Sequence, residues 1–289
     1  MSTGMPRPHT GAPRRLGPYR LYGVLGQGGL GPVYLGRGGA RRGGRGRTAA
    51  VRALSPVLLR DRQVRARLRN VLGTVRSRVT GPYVAPPLDC ELDGERPWVA
   101  TEFVPGPALG RLLDLHGPPP EAVVRALGAA LAHGLAELHA AGVVHGALRP
   151  GAVLVAADRP RLADCALLLD SAAADDGDAL RPADDVAGLG ALLARLAGGP
   201  QALTGARPED GRTAAATAGI PAGLLPVLLA CLHRRPGARP PANELASWLD
   251  PGATARRPAE EWLPHTWLHT IDSCAEHARE LGGRRLFGR

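Results

Sequence analysis

The spacing of hydrophobic residues changes near residue 105, from short segments typical of strands to longer periodic segments typical of helices. Before that point, Tyr19–Arg37 reads as a strand, a glycine turn and a second strand, and residues 48–54 and 97–104 read as further strands. Residues 64–79 have a helical spacing. Pro105–Pro107 then marks a hinge. The pattern predicts a β-rich first part and a helical second part.

The strongest helix signal follows this hinge. Pro119, Pro120 and Glu121 mark its start, leucines at helical spacing form one face from residue 127 to 138, and Gly142 marks its end. Further helices are predicted at 184–197, 222–233 and 241–249. After residue 250, a stripe at helical spacing is formed by Trp267, Ile271, Cys274, Ala278 and Leu281. We expect this stripe to pack against the helical part of the protein itself, the alternative being that it docks a partner.

Charge is distributed unevenly along the chain. All 36 basic residues of the Lys+Arg class are arginine, and residues 1–100 hold 18 of them against five acidic residues. Without lysine, Schiff-base chemistry and a lysine phosphate clamp are excluded, and a fixed cation must be a guanidinium. A basic first third can attract acidic partners, although such charge is more often a solvated face.

The remaining composition bears on location and on disordered segments. The four cysteines lack the C-x-x-C spacing of zinc or redox sites, which favours a reduced, cytoplasmic setting. Nothing resembles a signal peptide, and no uncharged run approaches the roughly 20 apolar residues of a membrane span. Residues 1–17, rich in proline, glycine and arginine, are predicted to be a disordered basic tail.

Three glycines in the first hairpin give the first motif that points to chemistry. Gly26, Gly28 and Gly31 form the pattern G-x-G-x-x-G-x-V, which ends at Val33. Dinucleotide-binding folds share part of this pattern, but their glycines lead into a helix, whereas a second strand follows here. A glycine hairpin that opens an N-terminal sheet resembles the phosphate-covering loop of protein kinases.

Later segments resemble protein kinases in the same order. Residues 48–54 resemble the V-A-I-K strand, 101–104 the hinge, 143–155 the H-R-D-L-x-x-x-N loop and 162–166 the D-F-G segment. Asp185 and the turn Arg235–Pro240 resemble structural landmarks of the helical lobe. The stretch 18–250 is therefore similar to bacterial (Hanks-type) serine/threonine protein kinases.

The resemblance implies an α+β fold with two lobes. We expect a small β-rich N-lobe at 18–104, a larger helical C-lobe at 105–250, and a C-terminal extension with a helix at 251–289.

The positions that carry the chemistry of the family are altered. The strand lysine falls on Arg52, which keeps the charge but is bulkier and forked. Its partner, a helix glutamate, would fall near residues 69–72, where the chain has no acid. The catalytic aspartate falls on Ala147 and the second metal ligand on Ala152, and neither alanine binds a proton or a metal. Asp164 remains as a weak candidate for binding Mg²⁺.

The segment that holds a peptide substrate in the family is shortened. Asp164 and Asp185 are only 21 positions apart, and Ser171 is the one hydroxyl side chain between them. An Ala-Pro-Glu motif is missing, so Arg239, which resembles the usual partner of that glutamate, lacks it.

The positions that would hold ATP keep their residue types better than the catalytic positions. An alternative is that they only seal the contact between the lobes, and Pro32 removes one N–H from the glycine hairpin. The nucleotide-binding candidates are Leu25, Gly26, Gly28, Gly31, Val33, Ala50, Arg52, Thr101, Glu102, Val104 and Leu154.

Three hypotheses follow. The first is a pseudokinase that regulates or scaffolds a protein partner by its shape, with or without ATP. The second is a weakly active serine/threonine kinase that uses Arg52 and Asp164. The third is a binder of an acidic partner or of nucleic acid through the arginine-rich N-lobe. Nucleic acid is not favoured, because no aromatic residue lies among the arginines of residues 38–47 to stack on bases.

Overall fold

The computed structural model describes residues 13–38, 46–165, 180–198 and 220–282. Contacts divide the chain into two compact units. The smaller unit comprises the chain up to Thr80, Ala85–Pro105 and the chain from Ser273, and the larger comprises Gly81–Val84 and Gly106–Asp272.

The smaller unit is built on a six-stranded antiparallel sheet with strand order β1-β2-β3-β4-β6-β5. The strands are β1 (Arg15–Leu16), β2 (Tyr19–Gly28), β3 (Gly31–Gly38), β4 (Arg47–Ala53), β5 (Pro87–Glu91) and β6 (Trp98–Glu102). Helix α1 (Arg62–Arg78) begins at Asp61, whose side chain accepts a hydrogen bond from the Gln63 N–H.

Side chains alternate between the two faces of this sheet, as the two-residue period of a strand requires. One face is an apolar cluster in which Tyr34, Val51 and Ala100 lie opposite one another on neighbouring strands. Tyr19 and Trp98 add an edge-to-face ring contact at 5.4 Å. This cluster is the core of the smaller unit.

The larger unit is organised around the long helix α3. Its helices are α2 (Leu109–His116), α3 (Glu121–Ala140), α4 (Pro182–Leu196), α5 (Leu225–Cys231), α6 (Ala242–Leu249) and the start of α7 (His265–Gly282). A two-stranded sheet pairs β7 (Val153–Val155) with β8 (Pro160–Leu162). Helix α3 packs against α4 and α6 and is buried on most of its surface, because alanine, leucine and glycine fill its sides. It ends where Gly142 adopts a left-handed conformation, φ 76°.

The C-terminal stripe corrects one expectation. Trp267 and Ile271 are buried, and these positions of α7 belong to the larger unit, as expected. Ala278, however, forms a buried cluster with Leu35 of the sheet, and Leu281 packs against the same cluster. The prediction that the whole stripe packs on the helical part was wrong for these two residues. Gly23 makes the approach possible, since a Cβ there would lie 2.7 Å from a methyl carbon of Leu281.

Candidate functional site

The loop of residues 143–155 is held by one buried carboxylate. Asp185, 2% exposed on α4, accepts hydrogen bonds from the backbone N–H of His145 at 2.7 Å and of Gly146 at 2.8 Å. His139 Nε2 lies 2.8 Å from the same carboxylate. Since these groups are 39 to 46 positions away from Asp185 in the chain, the carboxylate fixes the loop to two helices.

The His145 ring completes this support from inside the loop. Its Nε2 lies 3.0 Å from the Ala163 carbonyl, which can only accept, and its Nδ1 accepts from the Ala147 N–H at 3.2 Å. These partners require the neutral tautomer with the proton on Nε2. Burial lowers the pKa of His145 below its usual value of about 6.5, which agrees with a neutral ring. The ring is therefore a structural support of the loop.

The two positions that would handle proton and metal carry only methyl groups. Ala147 is 7% exposed and Ala152 is fully buried. The backbone around Ala152 is fully engaged, since its N–H donates to Arg149 and its carbonyl accepts from Ala163. The loop thus keeps an ordered backbone around two side chains that cannot take part in acid–base or metal chemistry.

Asp164 has an unusual backbone and a basic neighbour. Its φ is 60°, a left-handed conformation that is uncommon for residues other than glycine. Its carboxylate Oδ2 lies 3.1 Å from Nη2 of Arg149, and its side chain is 9% exposed. The carboxylate is therefore directed at a guanidinium within the same unit.

These residues do not fit a Mg²⁺ site. Magnesium takes octahedral oxygen ligands, and kinases supply two protein side chains for the metal. Here Ala152 replaces one of them, and the other, Asp164, pairs with Arg149. Within the described parts of the chain, no group of three or more His, Cys, Asp or Glu side chains could hold a metal ion.

Several nucleotide-binding candidates share the second face of the sheet. Val33 lies opposite Arg52, and Ala50 lies opposite both Leu35 and Thr101 on the neighbouring strands. These positions alternate with the core residues Tyr34, Val51 and Ala100, so they point to the other side. Leu25 packs against the cluster of Leu35 and Ala278 on that side.

The other candidates lie elsewhere. Glu102 is exposed at the end of β6, Val104 is buried after it, and Leu154 lies on β7 of the larger unit.

Of the three glycines of the hairpin, Gly31 is required by the fold, whereas Gly26 and Gly28 are not. Gly31 has φ 118°, and a Cβ there would lie 2.0 Å from the Ala53 carbonyl oxygen, so only glycine fits. A Cβ at Gly26 or Gly28 would meet no atom within 4 Å. Arg52 donates from Nη1 to the Gly31 carbonyl at 3.2 Å, which ties the strand cation to the hairpin.

Helix α1 is positively charged, whereas the family has a glutamate in the corresponding helix. It contains no acidic residue, and the nearby carboxylate of Asp93, between β5 and β6, pairs with Arg65 at 2.9 Å and Arg69 at 2.5 Å. Both arginines are partly or largely exposed. Helix α1 therefore offers no carboxylate to the strand cation Arg52.

Arg239 has partners that the sequence did not reveal. Its Nη1 donates to the Ala183 carbonyl at 2.8 Å and lies 3.4 Å from Asp184 Oδ1, and its Nε donates to the His233 carbonyl at 3.0 Å. Asp184 precedes the anchoring Asp185, and the repeated acid in the sequence was the only available signal. A carboxylate at the start of α4 thus partners an arginine whose expected glutamate is missing.

Some sequence predictions lie outside the described residues. These are Ser171, residues 39–45 of the arginine–glycine loop, and residues 1–12 of the predicted tail. Among the helices that are described, none is long and apolar enough to cross a membrane.

Comparison with known proteins agrees with this architecture. The chain is 31% identical over 308 residues to the serine/threonine-protein kinase AfsK of Streptomyces coelicolor, covering 94% of this chain and 38% of that kinase. It is 32% identical over 280 residues to PkwA of Thermomonospora curvata, named as a probable serine/threonine-protein kinase, covering 88% of this chain and 36% of PkwA. The chain thus spans little more than a third of either relative. No family model matches it.

A solved structure supports the same fold. The PknI kinase domain of Mycobacterium tuberculosis superposes with a TM-score of 0.66 at 24% identity, over 81% of this chain and 96% of that domain. At this identity the match speaks to fold alone. The chain is therefore homologous to bacterial serine/threonine protein kinases and has the two-lobed α+β fold of a protein kinase domain.

Proposed function

We propose that this protein is a pseudokinase, a kinase-like module that acts by binding rather than by phosphoryl transfer. The observation that carries the proposal is the presence of Ala147 and Ala152 in a loop whose backbone is otherwise fully supported by Asp185 and His145. The loop has kept its conformation and lacks the groups that take the hydroxyl proton and bind the metal.

The expected loss of rate is large. Active kinases turn over at roughly 1–100 per second. A general base alone raises the reaction rate by a factor of about 10²–10⁴. Even with strong non-additivity, the further absence of the metal ligand and of the ion pair between strand and helix places phosphoryl transfer near background.

A phosphotransfer assay tests this proposal. The purified chain is incubated with labelled ATP, Mg²⁺ or Mn²⁺ and a general protein substrate, beside an active bacterial kinase and the Asp164→Ala variant. We expect the wild type and Asp164→Ala to incorporate the same background label. Transfer by the wild type that Asp164→Ala abolishes would instead establish the weakly active kinase that uses Arg52 and Asp164.

We further propose that the protein binds ATP. Two features of the smaller unit support this: Val33, Ala50 and Thr101 share one sheet face, and Gly26 and Gly28 leave open space along the hairpin. Open backbone of this kind allows close approach of phosphate groups. The fold itself does not require glycine at either position, since a Cβ there meets no atom within 4 Å.

Thermal unfolding with and without millimolar ATP tests binding. We expect ATP to raise the Tm of the wild type. The Gly28→Val variant should unfold at the wild-type Tm without ATP and should gain much less from ATP. Gly237→Val is the matched control, because Gly237 also has no atom near its Cβ position and lies in the larger unit. Absence of a Tm increase in the wild type would mean that these residues are only structural.

A second candidate function is the binding of an acidic protein partner by helix α1. Its outward surface carries exposed arginines, and no acid interrupts them within the helix. These exposed arginines are Arg62, Arg67, Arg69, Arg76 and Arg78. Such a surface favours polyanions at low ionic strength.

Binding of labelled poly-glutamate, with duplex DNA in parallel, tests this surface. We expect poly-glutamate to bind and to dissociate as salt is raised. Charge reversal at Arg67 and Arg78 to Glu should weaken binding, whereas reversal of the exposed Arg234 and Arg235 in the larger unit should not. Absence of poly-glutamate binding at low salt would refute this second function. Tighter binding of DNA than of poly-glutamate would instead indicate a surface that binds nucleic acid.

A further inference from the structure

Arg149 holds a position in the loop that the proposed function does not use. It precedes the short 3₁₀ turn Pro150–Ala152, and its Nη2 lies 3.1 Å from Oδ2 of Asp164. The carboxylate has little access to solvent, with 9% of its side chain exposed, while the arginine side chain is 41% exposed. The guanidinium of Arg149 therefore lies between the nearly buried carboxylate of Asp164 and the solvent.

The turn makes room for this pairing. A Cβ on residue 151 would lie 2.4 Å from Nη1 of Arg149, so the glycine at this position lets the guanidinium fold back over the turn. The φ of Gly151 is not in the left-handed region, so alanine is compatible with the backbone. Gly151 is thus needed for the placement of the arginine side chain and not for the turn itself.

Asp164 combines an unusual backbone conformation with this ion pair. Its left-handed φ of 60° carries a conformational cost for a residue with a Cβ. Ala152, at the position of the second metal ligand in the family, offers no oxygen from its side chain. One carboxylate oxygen faces a guanidinium cation, in a place where a divalent ion needs several oxygens.

We infer that Arg149 is the built-in cation of Asp164 and takes the place of a divalent metal, so that this carboxylate does not recruit Mg²⁺ or Mn²⁺. If ATP binds as proposed above, it is then bound as the metal-free polyanion. The second part of this inference rests on the proposed function, and the first does not.

Binding of Mn²⁺ alone, followed by the loss of the free-ion signal in electron paramagnetic resonance, tests the first part without nucleotide. The wild type and Asp164→Asn should leave equal amounts of free Mn²⁺. Arg149→Met and Gly151→Ala, which remove or displace the guanidinium, should each bind measurably more Mn²⁺ than the wild type at equal concentration, with water molecules completing the ligands around the Asp164 carboxylate. The added Asp164→Asn change should abolish this gain. Arg149→Lys, which keeps a cation, should behave as the wild type.

Two results would overturn the assignment. One is Mn²⁺ binding by the wild type that Asp164→Asn abolishes, and the other is no gain in either Arg149→Met or Gly151→Ala. The use of two variants guards against a single one that fails to fold, and far-ultraviolet circular dichroism reports folding for both.

Thermal unfolding with ATP tests the second part. We expect the same increase in Tm with ATP plus EDTA as with ATP plus Mg²⁺. An increase that requires Mg²⁺ and disappears in Asp164→Asn would contradict metal-free binding. No increase under either condition would refute the proposed nucleotide binding, while the Mn²⁺ measurement would still decide the role of Arg149.

Discussion

Replacement of Asp185 by asparagine tests whether one carboxylate holds the loop of residues 143–155. The change is nearly isosteric and removes the charge. In the wild type, the two carboxylate oxygens accept from the backbone N–H groups of His145 and Gly146 and lie next to His139 Nε2, all at 2.7–2.8 Å. An asparagine has one oxygen and one NH₂ group in their place, so at least one buried N–H meets another donor.

The expected cost follows from these contacts. A buried N–H left without an acceptor costs about 1–3 kcal/mol, and a hydrogen bond to a charged group contributes roughly 1.5–3 kcal/mol where a neutral one contributes about 1. The loss of one acceptor and the weakening of the remaining bonds sum to about 3 kcal/mol. The relief of the desolvated charge opposes this loss, because Asp185 is nearly fully buried. We expect the hydrogen bonds to dominate, since three donors surround the carboxylate.

Urea unfolding followed by circular dichroism measures the change in the free energy of unfolding. Asp184→Asn is the matched control, because Asp184 adjoins Asp185 on the same helix turn and its side chain is 41% exposed. That control should cost no more than about 1 kcal/mol. A loss below about 1 kcal/mol for Asp185→Asn would refute the claim that this carboxylate stabilises the loop, because its hydrogen bonds would then not outweigh the cost of burying its charge.

Four further predictions concern stability and thiol exposure. Because burial lowers the pKa of His145, unfolding takes up a proton below about pH 6.5, so stability should fall by up to about 1.4 kcal/mol per pH unit as pH is lowered. His145→Gln should flatten this part of the urea-derived stability curve, and an unchanged curve would contradict the assignment. Gly31→Ala should lower the Tm far more than Gly28→Ala, given the contact of its added Cβ with a carbonyl oxygen; equal Tm values would count against it. Leu281→Ala should lower the free energy of unfolding in urea by about 1–2 kcal/mol, since the side chain is half-buried, and an unchanged value would contradict the packing of the C-terminal helix on the sheet. Burial raises the pKa of the Cys231 thiol to about 12 and also raises that of Cys165, so a thiol reagent at pH 8 should label at most two of the four cysteines in the native protein.

The periodic elements were predictable from the sequence because their signal is local. The alternation of apolar and polar residues predicted β2, β3, β4 and β6. The leucine spacing predicted α3 within a residue or two of its observed ends. The short elements β1, β5, α2, β7 and β8 were missed, since two to eight residues give too few repeats of either period. The prediction that the whole of residues 1–17 is disordered was wrong for Arg15–Leu16, which form β1 and pair with β2.

The C-terminal helix shows a second limit of periodicity. The stripe correctly marked its buried face, but a helix of 18 residues is roughly 27 Å long and can contact more than one neighbour. The spacing of Ala278 and Leu281 is the same whether they pack against helices or against Leu35 of the sheet.

The partners within the site were harder to predict for a related reason. The Asp185 carboxylate binds backbone groups of a loop about 40 positions earlier in the chain, and Arg239 lies 55 positions after its partner Asp184. Contacts of this kind depend on tertiary packing and leave no periodic trace. The resemblance to kinases marked the position of Asp164, but it gave no reason to pair this residue with Arg149, because in an active kinase the aspartate binds the metal.

The supports of the loop explain how it can be ordered without catalytic side chains. Asp185 and His145 engage backbone groups, whose identity does not depend on what residues 147 and 152 carry. Alanine at those positions therefore removes the proton acceptor and the metal ligand with little cost to the fold. The acid that remains at these positions, Asp164, has little access to solvent, and Arg149 places a positive charge beside it from within the loop. If no metal binds here, as proposed, the alanine at residue 152 and the pairing of Arg149 with Asp164 act together, since one offers no metal ligand and the other neutralises the remaining carboxylate.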